Sequence, residues 1–206
     1  MRLVENITRT VTKRIFDLVL VVFLSPFLLS LILIVFLISL IIQGSPVIFS
    51  QIRPGKNEKL FTLYKFRTME LTHSNEVDDT SKRITGLGKF LRKTSLDELP
   101  SILNVIKGDM SLVGPRPLLP EYLDRYDNFQ RKRHEVLPGI TGLAQISGRN
   151  AISWEEKFKY DVEYVKKNSL LIDLFIIFKT ITKIFSTKNI NHEEDKTMPE
   201  FEGRNE

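Results

Sequence analysis

Between Leu18 and Ile52 the chain carries no charged residue, and residues 18–42 form an almost unbroken run of Leu, Ile, Val and Phe. Roughly 20 apolar residues span a bilayer, so length alone predicts a transmembrane helix. Ser25-Pro26 lies inside the run. Proline removes a backbone donor and clashes with the preceding turn, so the helix is expected to kink there, with the Ser25 hydroxyl available to a freed carbonyl. Both flanks are basic: Arg2, Arg9, Lys13 and Arg14 precede the run, and Arg53, Lys56, Lys59, Lys65 and Arg67 follow it. The positive-inside rule keeps both on the cytoplasmic side. A helix–break–helix that dips into one leaflet and returns meets both conditions, whereas a straight span meets one. A soluble core helix fits so long a run poorly. A cleaved signal is disfavoured because the run exceeds an h-region and no small-residue cleavage site follows it.

Gly44-Ser45-Pro46 then punctuates the chain. Two β-prone runs, 47–49 and 61–66, flank a turn at Arg53-Pro54-Gly55 and predict a hairpin near the membrane surface. Residues 73–82 are polar and acidic, a surface loop. Over 84–93, Ile84, Leu87, Phe90 and Leu91 recur at helical spacing with Lys89, Arg92 and Lys93 opposite. That pattern suits a helix on anionic lipid or an ordinary surface helix. A second helix is predicted over 95–106, followed by Gly108-Asp109 and a rigid Gly114-Pro115-Arg116-Pro117 loop. Residues 121–136 are charged and helical in composition, 138–142 break that pattern, and 144–149 read as a short extended or loop segment. Helices are predicted over 154–167 and 170–185. The last gathers Leu171, Leu174, Phe175, Phe178, Ile181 and Phe185 on one side, the face of a core helix or of an interfacial one. From residue 190 the tail is polar and expected to be poorly ordered. The whole reads as α+β, helix-dominated, with one short hairpin.

At 206 residues, 42% hydrophobic and 27% charged, the composition excludes wholesale disorder. Cysteine is absent, which removes disulfides, thiolate metal sites and a Cys nucleophile. His73, His134 and His192 lie far apart, which counts against a histidine metal site. A net charge of +5 points to an anionic partner: nucleic acid, lipid headgroups or phosphate substrates. No Walker or Rossmann glycine pattern occurs.

Residues 94–100, Thr-Ser-Leu-Asp-Glu-Leu-Pro, carry two readings. Ser95 as N-cap and Glu98 three positions later make a capping box, with Asp97 favoured by the helix dipole. Alternatively, a carboxylate in that first turn, close to Arg92 and Lys93, stays ionised and acts as a nucleophile or holds a metal. Lys65 and Arg67 end a predicted strand, either as surface cations or as substrate contacts. Arg116, held between Pro115 and Pro117, suits bidentate phosphate binding, or caps loop carbonyls. Arg149, in Gly148-Arg149-Asn150, is a third such cation.

Taken in order, Lys13-Arg14-Ile15-Phe16-Asp17, Ser25-Pro26, Gln51-Ile52-Arg53-Pro54-Gly55 and Tyr64-Lys65-Phe66-Arg67-Thr68-Met69 resemble the bacterial sugar transferases. These are the small monotopic phosphoglycosyl transferases that start lipid-linked glycan assembly. The resemblance continues through Leu96-Asp97-Glu98-Leu99-Pro100, Asn104-Val105-Ile106-Lys107-Gly108-Asp109-Met110-Ser111 and Val113-Gly114-Pro115-Arg116-Pro117. Pro138-Gly139-Ile140-Thr141-Gly142 and Ser147-Gly148-Arg149-Asn150 complete it, over residues 13 to 185. The chain looks like the minimal form, without a multi-span N-terminal extension. Asn150-Ala151-Ile152-Ser153-Trp154 and Phe201-Glu202-Gly203 resemble members that transfer N,N'-diacetylbacillosamine phosphate.

The resemblance implies a membrane enzyme moving a sugar-1-phosphate from a UDP-sugar to undecaprenyl phosphate, with release of UMP. It implies Asp97 as nucleophile and Glu98 as its partner, with Mg²⁺ at that pair. Lys65, Arg67, Arg92, Arg116 with Pro115 and Pro117, and Arg149 would contact substrate, while Asp161 has an open role. It further implies residues 1–45 as a re-entrant anchor, 46–188 as a catalytic domain on the cytoplasmic face of the inner membrane, and 189–206 as a tail. Membrane phospholipid is the implied surface partner, and nucleic acid is not one. Two rival classes remain. An anchored basic binding protein predicts salt-sensitive binding without turnover. A metal-dependent hydrolase of the same donor predicts UMP release without a lipid acceptor.

Overall fold

A computed structural model describes residues 2–71, 83–148, 151–185 and 200–203, with side chains described from Thr8 and, in the last helix, as far as Lys183. The expected surface loop at 73–82 and the first part of the tail lie outside the described residues. Helix α1 (Arg2–Gln43) contains Pro26 and keeps its helical backbone through it. The expected break at Ser25-Pro26 involves no non-helical residue: helical backbone continues on both sides of the proline. The reason is local. Proline cannot donate to the Val22 carbonyl one turn back, and the Ser25 hydroxyl donates to it instead at 2.7 Å. The Ser30 hydroxyl donates to the Pro26 carbonyl at 2.9 Å.

One face of α1 packs on the rest of the protein while Val19, Phe23, Phe27 and Ile41 on the remainder stand bare. Val21 enters a cluster with Leu63, Val105 and Met110, and Val35 one with Val47, Phe66 and Leu91. Lys13 pairs with Asp173 at 2.6 Å, and Arg14 donates to the carbonyls of Val105 and Ile106. At the far end Arg67 donates to the carbonyls of Gln43 and Gly44.

The expected hairpin is present. Strands β1 (Ile48–Pro54) and β2 (Leu60–Phe66) pair antiparallel, from Ile48↔Phe66 to Pro54↔Leu60. The outer edge of β2 is closed by side chains rather than by a third strand. The Ser101 hydroxyl donates to the Tyr64 carbonyl at 2.8 Å. Asn104 donates to the Thr62 carbonyl at 2.7 Å and accepts from the Tyr64 N–H at 3.2 Å. This converts a pairing-competent edge into an internal seam.

Helix α2 (Gly86–Thr94) forms as its apolar spacing predicts, capped by the Thr85 hydroxyl on the Gly88 N–H. The capping box at Ser95 does not form. Ser95 is left-handed at φ 57, ends α2, and makes no side-chain cap. Residues Leu96–Ser101 are a 3₁₀ turn, and only Ile102–Lys107 is α-helical (α3). The predicted helix over 121–136 is two 3₁₀ segments, Pro120–Arg125 and Gln130–Glu135. The short extended or loop segment predicted at 144–149 is, as far as Ser147, part of a helix instead, α4 (Leu143–Ser147). Unforeseen too is a short parallel pair, β3 (Ser111–Val113) with β4 (Gly139–Thr141).

Helices α5 (Trp154–Lys167) and α6 (Leu170–Phe185) match expectation. The apolar side singled out on α6 is not core: Leu171, Leu174, Phe175, Phe178 and Ile181 are exposed, while Asp173 and Ile176 are fully buried on the opposite side. The tail returns to the fold, for Phe201 is buried among Tyr122, Tyr126, Trp154 and Phe158. Its described end is therefore ordered, against expectation.

Asn104→Ala removes two of the three seam bonds on β2 and leaves the part-buried Thr62 carbonyl and Tyr64 N–H unpaired. Destabilisation of about 2–4 kcal/mol is expected in denaturant unfolding of the detergent-solubilised protein. An unchanged midpoint would show that the seam contributes nothing.

Candidate active site

Three segments converge on one carboxylate. Glu98, in the 3₁₀ turn, accepts from the Lys65 ammonium of β2 at 2.7 Å and from the Arg116 guanidinium of the 114–117 loop at 2.6 Å, both on Oε1. Burial alone would raise the pKa of Glu98. The charges of Arg116 and Lys65, with their hydrogen bonds, win and hold it well below the usual carboxylate range. Its chain neighbour Asp97 goes the other way. Burial and then the Glu98 charge raise it, against the pull of Lys65, Arg116 and Arg92. Among the described residues none donates a hydrogen bond to the Asp97 carboxylate. The pair therefore consists of one firmly anionic carboxylate and one whose charge is held at a cost, the arrangement of a base or nucleophile.

The expected cations fall into different roles. Lys65 and Arg116 meet at Glu98, and Arg92 stands near Asp97 while its Nε donates to the Thr68 hydroxyl at 2.9 Å. Arg67 lines the same cavity, yet its guanidinium is committed to the end of α1, so it acts there as a clamp. Pro115 and Pro117 are buried and stiffen the loop. Its register is set by the Gly114 N–H on Thr141 and the Gly139 N–H on the Pro115 carbonyl, at 2.9 and 3.0 Å. The approach is so close that a Cβ on Gly114 would lie 2.3 Å from the Leu137 carbonyl oxygen. Arg149 lies outside the described residues. Asp161, whose role was open, forms a buried pair with Arg133.

These groups line a cavity of roughly 1580 Å³ whose walls include Phe27, Leu28 and Leu31 of α1 and Ile181 of α6. The cavity thus joins a polar, cationic floor to an apolar wall supplied by the long helix. Two cations at its edge were not singled out from the sequence. Arg53, bonded to Gln51 at 2.6 Å, is lowered to about 10 by burial and then by Arg116. Lys157 on α5 is lowered to about 8 by burial and then by Arg116. Arg53 sits in a motif that could have flagged it. Lys157 looks like any surface lysine of a charged helix.

Among the described residues no three His, Cys, Asp or Glu side chains gather. Mg²⁺ takes one or two carboxylates and completes its shell with phosphates and water. Asp97 and Glu98 fit that requirement and no larger one.

Residues 8–187 match the family described as bacterial sugar transferase. The chain is 48% identical over 195 residues to EpsL of Bacillus subtilis, an uncharacterized sugar transferase, covering 94% of this chain and 96% of that protein. It is 40% identical over 157 residues to the undecaprenyl-phosphate galactose phosphotransferase of Salmonella typhimurium. A UDP-N-acetylgalactosamine-undecaprenyl-phosphate N-acetylgalactosaminephosphotransferase of Aeromonas hydrophila is 42% identical over 151 residues. These two matches cover 67% and 68% of the chain but 33% and 36% of those longer proteins, so the chain spans about a third of their length.

Glu98→Gln leaves Lys65 and Arg116 without their anion, and at pH 7 should cost about 2 kcal/mol. Because the folded-state pKa of Glu98 is lowered, its contribution is present above the unfolded carboxylate range and is lost as pH falls toward the folded value. Thermal melts of both proteins from pH 7 to pH 3 should therefore draw together, the gap narrowing below the ordinary carboxylate range without closing by pH 3. A gap that stays constant across that range contradicts the ion-pair account.

Proposed function

The chain belongs to the bacterial sugar transferases, and from that premise we propose that it moves a sugar-1-phosphate from a UDP-sugar to undecaprenyl phosphate, releasing UMP. The observation that carries this reading is the Asp97–Glu98 pair, set among Lys65, Arg92 and Arg116 in a cavity with an apolar wall. Cations at the floor suit the diphosphate, and the wall from α1 suits a polyprenyl chain.

In the proposed reaction an Asp97 oxygen attacks the β-phosphorus of the donor, and the bond to the bridging oxygen breaks. UMP leaves with that oxygen. A phosphate oxygen of the acceptor then attacks the same phosphorus and returns Asp97 to its carboxylate, giving the polyprenyl diphosphosugar. Glu98 holds Lys65 and Arg116 where charge builds on the transferring phosphoryl group. Mg²⁺ at the pair would supply further neutralisation of the diphosphate. The donor sugar is read as an N-acetylated one, such as N,N'-diacetylbacillosamine, from the resemblance of residues 150–154 and 201–203.

We place the enzyme at the cytoplasmic face of the inner membrane with α1 as a re-entrant anchor on phospholipid. Support comes from both halves of α1: Val21 before Pro26 and Val35 after it rest in clusters that include β2 residues, and both ends are tied to the same domain. A helix crossing the bilayer would carry one end away. Cysteines replacing Glu5 and Lys56 should both label from the cytoplasm alone. Periplasmic labelling at position 5 would refute the anchor geometry.

A donor panel assayed for UMP, with polyprenyl phosphate present or withheld, separates transferase from hydrolase. Steady turnover should require the acceptor. Donor alone should add the mass of one phosphosugar to the wild type and nothing to Asp97→Asn. Turnover without acceptor favours the hydrolase, and an adduct on Asp97→Asn removes Asp97 as nucleophile.

A further inference from the structure

Arg133 and Asp161 touch neither carboxylate of the pair, yet each is only 3% exposed. The Arg133 Nε and one Nη reach a single Asp161 oxygen, at 3.1 and 2.7 Å. That same Nη donates to the backbone carbonyl of Arg116 at 2.7 Å, and the other Nη to the Tyr126 hydroxyl at 3.3 Å. Apolar residues of similar volume replace a buried ion pair without loss of stability in many proteins. Stability alone is thus a weak reason for charges here. What apolar side chains cannot do is grip a carbonyl.

The gripped carbonyl belongs to the residue whose guanidinium meets Glu98 at 2.6 Å. Both of its neighbours are prolines with fixed φ. The Pro115 carbonyl is already held by the Gly139 N–H. The remaining backbone freedom of Arg116 is rotation of its own peptide, and Arg133 removes it. The Arg116 side chain is nearly half exposed as a whole, so packing along its length does not by itself set its aim.

We infer that Asp161 and Arg133 are positioning residues: Asp161 orients Arg133, Arg133 fixes the Arg116 carbonyl, and the fixed peptide aims the Arg116 guanidinium at the donor diphosphate. The inference rests on the proposed function for the identity of that anion. Asp161 and Arg133 also line the cavity, but the role assigned here is exerted through the Arg116 peptide, by two arginines in series.

The double variant Arg133→Met/Asp161→Leu removes the grip without leaving a lone buried charge. With the full chain in detergent, UDP affinity in the presence of Mg²⁺ and the melting temperature are measured together. The expected result is a melting temperature at or above wild type with UDP binding weakened about tenfold, the scale of one misplaced charge-assisted contact. Arg116→Ala should weaken UDP binding similarly, and adding it to the double variant should weaken it no further. A double variant that melts like wild type and binds UDP equally well overturns the inference, as does full additivity with Arg116→Ala. Should the double variant not fold, Arg133→Lys keeps a cation beside Asp161 but surrenders the fork. Its loss of UDP affinity must then vanish in the Arg116→Ala background, and an equal loss there overturns the inference. A wild type that binds no UDP takes down the functional reading and this inference with it, an outcome distinct from a wild type that binds beside a variant that binds as well.

Discussion

A carboxylate with 14% of its side chain exposed keeps its charge only in the company of cations, and Glu98 has two on one oxygen. That requirement organises the polar half of the molecule. Lys65 arrives on a strand and Arg116 on a proline-locked loop, so strand, loop and 3₁₀ turn must meet within hydrogen-bond distance. Ser101 and Asn104 stitch the turn to β2, and the β3–β4 pairing carries the loop in from the other side. The left-handed Ser95 is the local consequence: α2 must end abruptly for Glu98 to face Lys65. Asp97 inherits the environment its neighbour creates. Burial and an adjacent anion press on it while the shared cations keep its ionised form within reach.

Anchor and site are one structure. The helix that carries the apolar run supplies Phe27, Leu28 and Leu31 to the cavity wall, just beyond Pro26, and Arg67 of the Lys65-Phe66-Arg67 stretch clamps its end. The bare faces of α1 and α6 both lie outside the core. Phe27 of α1 and Ile181 of α6 belong both to those exposed faces and to the cavity wall. The physical economy lies in Ser25, whose hydroxyl lets proline stand in the helix without an orphaned carbonyl.

Periodicity exposed the elements with strong amphipathic or alternating patterns: the hairpin, α2, α5 and α6. It failed where tertiary contacts decide the backbone. Residues 95–98 carry a sound capping-box pattern, but Glu98 gains more from two cations than from an N–H, so the box is forgone. Residues 121–136 are rich in helix formers, yet Tyr122 and Tyr126 turn inward to stack around Phe201, and short 3₁₀ turns accommodate that. Strands β3 and β4 are too short to announce themselves. Asp97, Glu98, Lys65 and Arg116 were readable because motif and chemistry coincide in each. Arg133 was not, and Asp161 was singled out without a role, because 28 positions separate the pair and nothing local marks either as buried. On α6 the pattern gave the apolar face but not its direction, since an exposed apolar helix face and one turned to a core are written alike.

The cavity is lined by more cationic side chains than its carboxylates balance. Arg53, Lys65 and Lys157 are each depressed, by burial first and then by Arg116. Such mutual repulsion is a standing cost to the fold, met elsewhere by clusters such as those holding Val105 and Phe158. It is relieved when an anion of two or more charges enters, and a monoanion relieves less of it. A site so built discriminates by charge before it reads any hydroxyl. The apolar wall built by α1 borders that cationic surface, so polar and apolar recognition elements lie within one cavity.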